Sequence, residues 1–212
     1  MLSGSADPRV DSNDKKVNPN LTVLEWLNRR PGFEGRVAAY GSWDVLPYIV
    51  DLPDYWPGTR FDAPTMQVAL ERLRTRQPRV LYVMLGETDE WAHDRRYDLY
   101  LDAAHRSDRF VRRLWETAQS LPAYRGRTAL VLATDHGRGA SPRDWMDHGE
   151  KVPAAERIWT AVMGPGTPAL GVREAEKATQ SQLAATVAAL LGEDFRAASP
   201  NAAPPLPDIE GP

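Results

Sequence analysis

Three of the chain's four histidines stand beside acidic residues. In GETDEWAH, Asp89 and His93 are four positions apart, a spacing that puts both side chains on one face of a helix. In ATDHGRG, Asp135 and His136 are adjacent, and in DWMDHGE, His148 lies in a stretch of loop character. The chain has no cysteine, so disulfides and thiolate sites are excluded and a metal must take nitrogen and oxygen ligands. Two histidines and a carboxylate make a three-ligand site with room for water or substrate. A second carboxylate–histidine pair nearby suggests a second metal. Two ions roughly 4 Å apart can stabilise the attacking and leaving oxygens of an in-line displacement. Each motif alone is weak, because Asp-x-x-x-His on a helix is ordinarily a solvated surface pair. Their order along the chain is the specific feature.

The elements that must position these residues follow from hydrophobic pattern. The stretches RVLYVMLGE (79–87) and TALVLAT (128–134) are near-continuous apolar runs, as in strands covered on both faces of a parallel sheet. A long helix over about 95–121 lies between them, which makes a βαβ unit. Asp89 and Asp135 then fall just past the carboxyl ends of parallel strands, where open α/β sheets place ligands. Gly137 and Gly139 would let the backbone turn tightly there. Further strands are expected at 36–43 and 158–166. Helices are expected over LTVLEWLNRR (21–30), over 65–76, and over about 173–192, ending at Gly192. Asn18, Pro19 and Asn20 read as the turn that caps the first helix. The tripeptide Asn20-Leu21-Thr22 also matches a glycosylation acceptor, but the cap is the favoured reading. A Pro/Gly-rich loop covers 52–64. Residues 1–20 read as loop, 21–195 as one core, and 196–212 as an irregular proline-rich tail. The expected fold class is α/β: a mostly parallel sheet with helices on both faces.

Bulk properties bound the function. With 212 residues, 42% of them hydrophobic, the chain can bury the core of one domain or a large part of a bigger one. A net charge of −3 gives no basic field, so nucleic acid is not expected as a partner. No run approaches the roughly 20 apolar residues of a membrane span. The first 20 residues lack the apolar centre of a signal peptide. The lack of cysteine does not decide between cytosol and an exported compartment.

Taken together, LSG near the start, DEWAH, TDHG and QLAATVAALLG near the end resemble the alkaline phosphatase superfamily. Its members include the phosphodiesterases/nucleotide pyrophosphatases, sulfatases and cofactor-independent phosphoglycerate mutases, and the likeness is strongest to the type I phosphodiesterase branch. The resemblance implies an alkaline-phosphatase-like fold and hydrolysis of phosphomonoesters or phosphodiesters, small molecules included. It implies one metal on Asp89, His93 and His148, and a second on Asp135 and His136 plus an early Asp and a nucleophilic Ser or Thr. Zinc is the metal implied, two ions in the complete family site, and manganese is the alternative. A periplasmic or secreted location is compatible with the resemblance. The family's first strand, early Asp and nucleophile precede a segment resembling MLSG. The chain is therefore expected to be N-terminally incomplete, with weak or no activity alone and a tendency to self-associate. Ser3 and Ser5 have the wrong context for the nucleophile.

Other candidates favour simpler readings. His105, Asp98, Asp102, Asp108, Arg109 and Arg112 fit a wet helix face. Asp144 or Asp147 could orient His148, but ordinary loop carboxylates are the favoured reading. Arg138 is a candidate phosphate contact. Trp91 and Trp145 lie within the ligand segments and could wall a pocket. A non-catalytic metal-binding remnant is the contrasting function. A sulfatase or phosphomutase is a further alternative, the former weakened by the absence of a cysteine to modify.

Overall fold

The computed structural model describes residues 1–56, 61–173 and 178–209. Three strands form a parallel sheet in the order β2-β1-β3: β1 (Val37–Gly41), β2 (Tyr55–Trp56) and β3 (Val80–Met84). Val37 pairs with Val80 and Gly41 with Met84, so β1 and β3 are matched over their full length. All five residues of β1 are buried, and strand alternation sends them to two separate cores. Val37 and Ala39 join a core with α1 (Val23–Asn28), Leu46 of α2 (Leu46–Ile49), α6 (Leu183–Ala189), Phe33 and Phe195. Ala38 and Tyr40 join another with Ala69 and Leu70 of α3 (Asp62–Thr75) and Phe110 of α5 (Tyr97–Ser120). Helices therefore cover both faces of this sheet.

The first helix is capped later than the sequence reading places it. Thr22, not Asn20, is the N-cap: its hydroxyl accepts from Glu25 N at 3.3 Å and Glu25 Oε2 accepts from Thr22 N at 2.9 Å. Asn18 instead closes the turn before it, its Oδ1 accepting from Asn20 N at 3.0 Å. Residues 1–20 contain no helix or strand, but they are docked: Val23 N donates to Leu2 O at 2.9 Å and Ala203 N to Gly4 O at 2.9 Å. Gly4 is required there, because a Cβ would stand 2.6 Å from the Ala202 Cβ.

The second half departs from the expected mostly parallel sheet. The run 128–134 does hold a strand, β4 (Leu130–Ala133), but β4 does not neighbour β3. It pairs antiparallel with β5 (Thr160–Met163), Leu130 opposite Met163, in a two-stranded sheet of its own. The reason is visible in burial. Residues of β5 alternate between half-buried and exposed, the pattern of an antiparallel ladder with one wet face. An apolar run marks a strand without specifying its neighbour. β3 is also half-buried at every position, and among the described residues its edge away from β1 carries no strand.

The terminal helix is shorter than expected. Residues 174–177, in the first part of the expected span, lie outside the described residues. Thr179 then takes an extended backbone and forms a capping box with Gln182, so the helical segment starts at a 3-10 turn, Gln180–Gln182, and continues as α6. Gly192 follows with φ of +75°, a left-handed conformation suited to a helix end. Phe195, just before the tail, packs in the core, its ring meeting Trp26 edge-on at 5.5 Å. Part of the 52–64 loop, residues 57–60, and the end of the tail, 210–212, lie outside the described residues.

Candidate metal centre

The turn after β3 delivers the first pair. Helix α4 (Glu87–His93) begins at once, and its i,i+4 geometry brings Asp89 Oδ1 to 3.4 Å from His93 Nε2. The chain then runs through α5 and β4 to Asp135 and His136. Gly137 follows because the backbone has no room for a side chain: a Cβ would lie 2.4 Å from Arg157 O. Gly139 is equally confined, by Asp144 at 2.4 Å. Close approach is thus the reason for both glycines, and neither has positive φ. The loop that follows is folded on itself by Asp144, whose Oδ1 accepts from Ser141 N and Ser141 Oγ, each at 2.7 Å. It returns His148 to the helix that bears His93.

Four side chains converge. Asp89 Oδ1 lies 3.4 Å from His93 Nε2, 3.6 Å from His136 Nε2 and 3.6 Å from His148 Nε2. His93 Nε2 and His148 Nε2 are 3.1 Å apart. The rings of His136 and His148 stack at 3.8 Å. Ligand atoms of Asp89, His136 and His148 all fall within 4.8 Å of one another. Asp135 is at the margin, its Oδ2 3.6 Å from His136 Nε2. Its backbone carbonyl accepts from Gln180 Nε2, which also donates to Thr134 O at 3.1 Å. A cleft of about 320 Å³ adjoins Asp135 and His136, walled by Ala155, Ile158, Thr179 and Gln180.

The donor set fits a divalent cation on two grounds. Around a tetrahedral ion with ligand bonds of about 2.0–2.1 Å, neighbouring ligand atoms stand roughly 3.3–3.4 Å apart. The separations of 3.1–3.6 Å bracket that edge length. The second ground is protonation. His136 Nδ1 lies 2.9 Å from Gly137 O, and a proton donated there leaves Nε2 with its lone pair facing the cluster. His148 points the same way: burial first, and then neighbouring His136, lower its pKa below the ordinary 6.5, favouring the neutral ligand form.

Arg138 does not point to open solvent. It is 13% exposed, and its Nη2 donates to Asp89 Oδ1 and, at 3.3 Å, to Asp89 O. Its Nη1 donates to Met146 O at 2.9 Å. A guanidinium therefore supplies the positive charge beside Asp89. Of the other candidates, Asp144 serves Ser141 and not His148. His105 is exposed on α5. Trp145 meets Tyr97 at 5.1 Å and Tyr100 at 5.9 Å. Trp91 Nε1 donates to Glu87 Oε1 at 3.4 Å.

Ser3 Oγ donates to Ser5 O at 3.0 Å, so the segment's own backbone uses that hydroxyl. Among the described residues two hydroxyls directly follow strands. Ser42, after β1, is buried and donates to Thr65 Oγ1 at 2.9 Å. Thr134, after β4, has a buried Oγ1 without a hydrogen-bond partner among the described residues. Tyr82 on β3 is pushed up to about 12 by burial and by the negative charge of Asp135.

A sequence model of the type I phosphodiesterase / nucleotide pyrophosphatase family matches residues 7–204. The chain belongs to that family, a family of phosphodiesterase/pyrophosphatase-type hydrolases. None of the curated proteins compared with the chain matches it. Among the described residues no helix is long and apolar enough to cross a membrane.

Proposed function

We propose that this chain carries the metal centre of a phosphoric-ester hydrolase acting on small-molecule phosphomonoesters or phosphodiesters. Asp89, His93 and His148 hold one divalent cation; Asp135 and His136 contribute to a second. Zinc is the preferred metal and manganese the alternative, since the donors are nitrogen and oxygen without sulfur. The observation that carries this reading is the approach of His93 and His148 Nε2 to Asp89 Oδ1, at 3.4 and 3.6 Å, with His136 Nε2 between the two sites, 3.6 Å from both Asp89 Oδ1 and Asp135 Oδ2. Bound there, a divalent cation supplies Lewis-acid stabilisation of charge on phosphoryl oxygens.

The chain's own residues do the rest. The Gly137 carbonyl holds the His136 tautomer. Gln180 fixes the backbone at Asp135. Arg138 neutralises Asp89; once a cation takes over that task, the Nη2 donor is free for a phosphoryl oxygen while Nη1 stays on Met146 O. The attacking hydroxyl of a phosphoenzyme route must be exposed beside the ligands. Ser42 and Thr134 are buried hydroxyls, and the Thr179 hydroxyl on the cleft wall is engaged in capping the terminal helical segment, which supports a chain that binds metal better than it turns over substrate.

The test is calorimetric zinc and manganese titration beside assays with a chromogenic phosphomonoester and phosphodiester. Metal binding that Asp89→Ala removes supports the reading. A chain that binds neither metal contradicts it.

A further inference from the structure

Beneath the metal centre lies a buried polar group that the ligands do not use. Asp62 is 1% exposed and Glu87 6% exposed. Each is the first residue of a helix, α3 and α4 respectively, and each serves the other's helix. Asp62 Oδ1 accepts from Gly86 N at 2.8 Å and its Oδ2 from Glu87 N at 3.1 Å. Glu87 Oε2 in turn accepts from Asp62 N at 3.0 Å. The other oxygen of Glu87 takes Arg106 Nη2 at 3.0 Å, from α5. Two helix starts are thereby bolted together and tied to a third helix.

We propose that Asp62 is a positioning residue for the metal centre: it fixes the start of α4, and with it the direction in which Asp89 and His93 face. This inference rests on the reading of Asp89 and His93 as ligands.

α4 has seven residues, too few to be stable as an isolated helix. Its N-cap is Gly86, which has no side chain to satisfy the first amides. Asp62 supplies both acceptors from another element. Asp89 lies two positions further on, and its amide bonds back to Gly86 O at 3.0 Å. A shift at Gly86 therefore reaches the ligand through one hydrogen bond. Stability alone is a weak reason for keeping such a group, because the desolvation of buried carboxylates offsets much of their pairing. In keeping with this, burial raises the Asp62 pKa above its ordinary 3.8. An asparagine has one acceptor oxygen where Asp62 has two. Its amide would oppose the Glu87 or Gly86 N–H donor to donor, so α4 loosens while the charge penalty disappears.

The experiment compares Asp62→Asn with the unaltered 212-residue chain by three readouts: zinc affinity against a chromogenic chelator, thermal midpoint, and amide hydrogen exchange at Gly86 and Glu87 without metal. Expected are faster exchange at both amides, zinc binding weakened roughly 10–100-fold, and a thermal midpoint near that of the unaltered chain. Asp102→Asn, which alters an exposed partner of Arg106, should leave all three unchanged. Should Asp62→Asn fail to fold, Glu87→Gln is read by the same comparison. The inference is overturned if zinc affinity stays at the unaltered value, or falls only in proportion to a lost thermal midpoint. An unaltered chain that holds no zinc overturns the metal reading and this inference with it. Normal zinc binding in both chains overturns this inference alone.

Discussion

His93, His136 and His148 differ in what holds them, and that decides what single substitutions should do. His93 and His148 reach the cluster from elements far apart in sequence and meet at 3.1 Å. His93→Ala or His148→Ala is expected to abolish tight zinc binding, whereas His105→Ala, on an exposed face, should leave it intact; calorimetry with each variant checks this. His148 also sets a pH dependence. Its folded pKa lies below the ordinary 6.5, so the folded chain binds that proton less readily than the unfolded one. The resulting stability is complete above the unfolded value and is lost as pH falls toward the folded one. The metal-free chain should thus lose denaturation midpoint as the pH falls below about 6.5, and His148→Gln should lose less. At this scale the sequence was informative where residue type carried the signal: histidines beside acids are rare. It was silent on Asp62, Glu87 and Gln180. Asp62 falls in the 52–64 loop of the sequence reading and Glu87 at the end of an apolar run, and only tertiary contact shows that Asp62 serves the start of α4. The Thr22-x-x-Glu25 capping box was available as a local pattern, and the neighbouring Asn-Pro-Asn turn drew the reading away from it.

Among the elements, the loop after β4 is the most constrained, because Gly137 sits against the backbone of residues 154–157. Gly137→Ala should cost about 1–3 kcal/mol of stability, the usual range for overpacking, and should displace His136; urea denaturation measures the first and zinc affinity the second. Helices and strands were legible in their periodicity, as α5 and the β1 and β3 runs attest. Strand partnership was not. The apolar runs at 79–87 and 128–134 look alike, but β3 pairs parallel to β1 and β4 antiparallel to β5. Pairing is decided by which chain segment returns alongside, and hydrophobicity carries no record of that.

On the scale of the whole molecule, β3 is half-buried with one edge unpaired among the described residues. Unpaired strand edges invite association, so sedimentation should show concentration-dependent self-association of the chain. With the hydroxyls of Ser42 and Thr134 buried, turnover of phosphoesters by the described residues should fall well below about 1 s⁻¹, the lower part of the ordinary enzyme range. Faster turnover would place a competent nucleophile among them. The most direct measurement of the central claim is zinc content after exhaustive dialysis, taken on the chain and on its His148→Ala variant. One tightly held equivalent in the chain, a second held weakly or lost, and none in the variant is the result predicted. No retained zinc in the chain, or an undiminished equivalent in the variant, would contradict it.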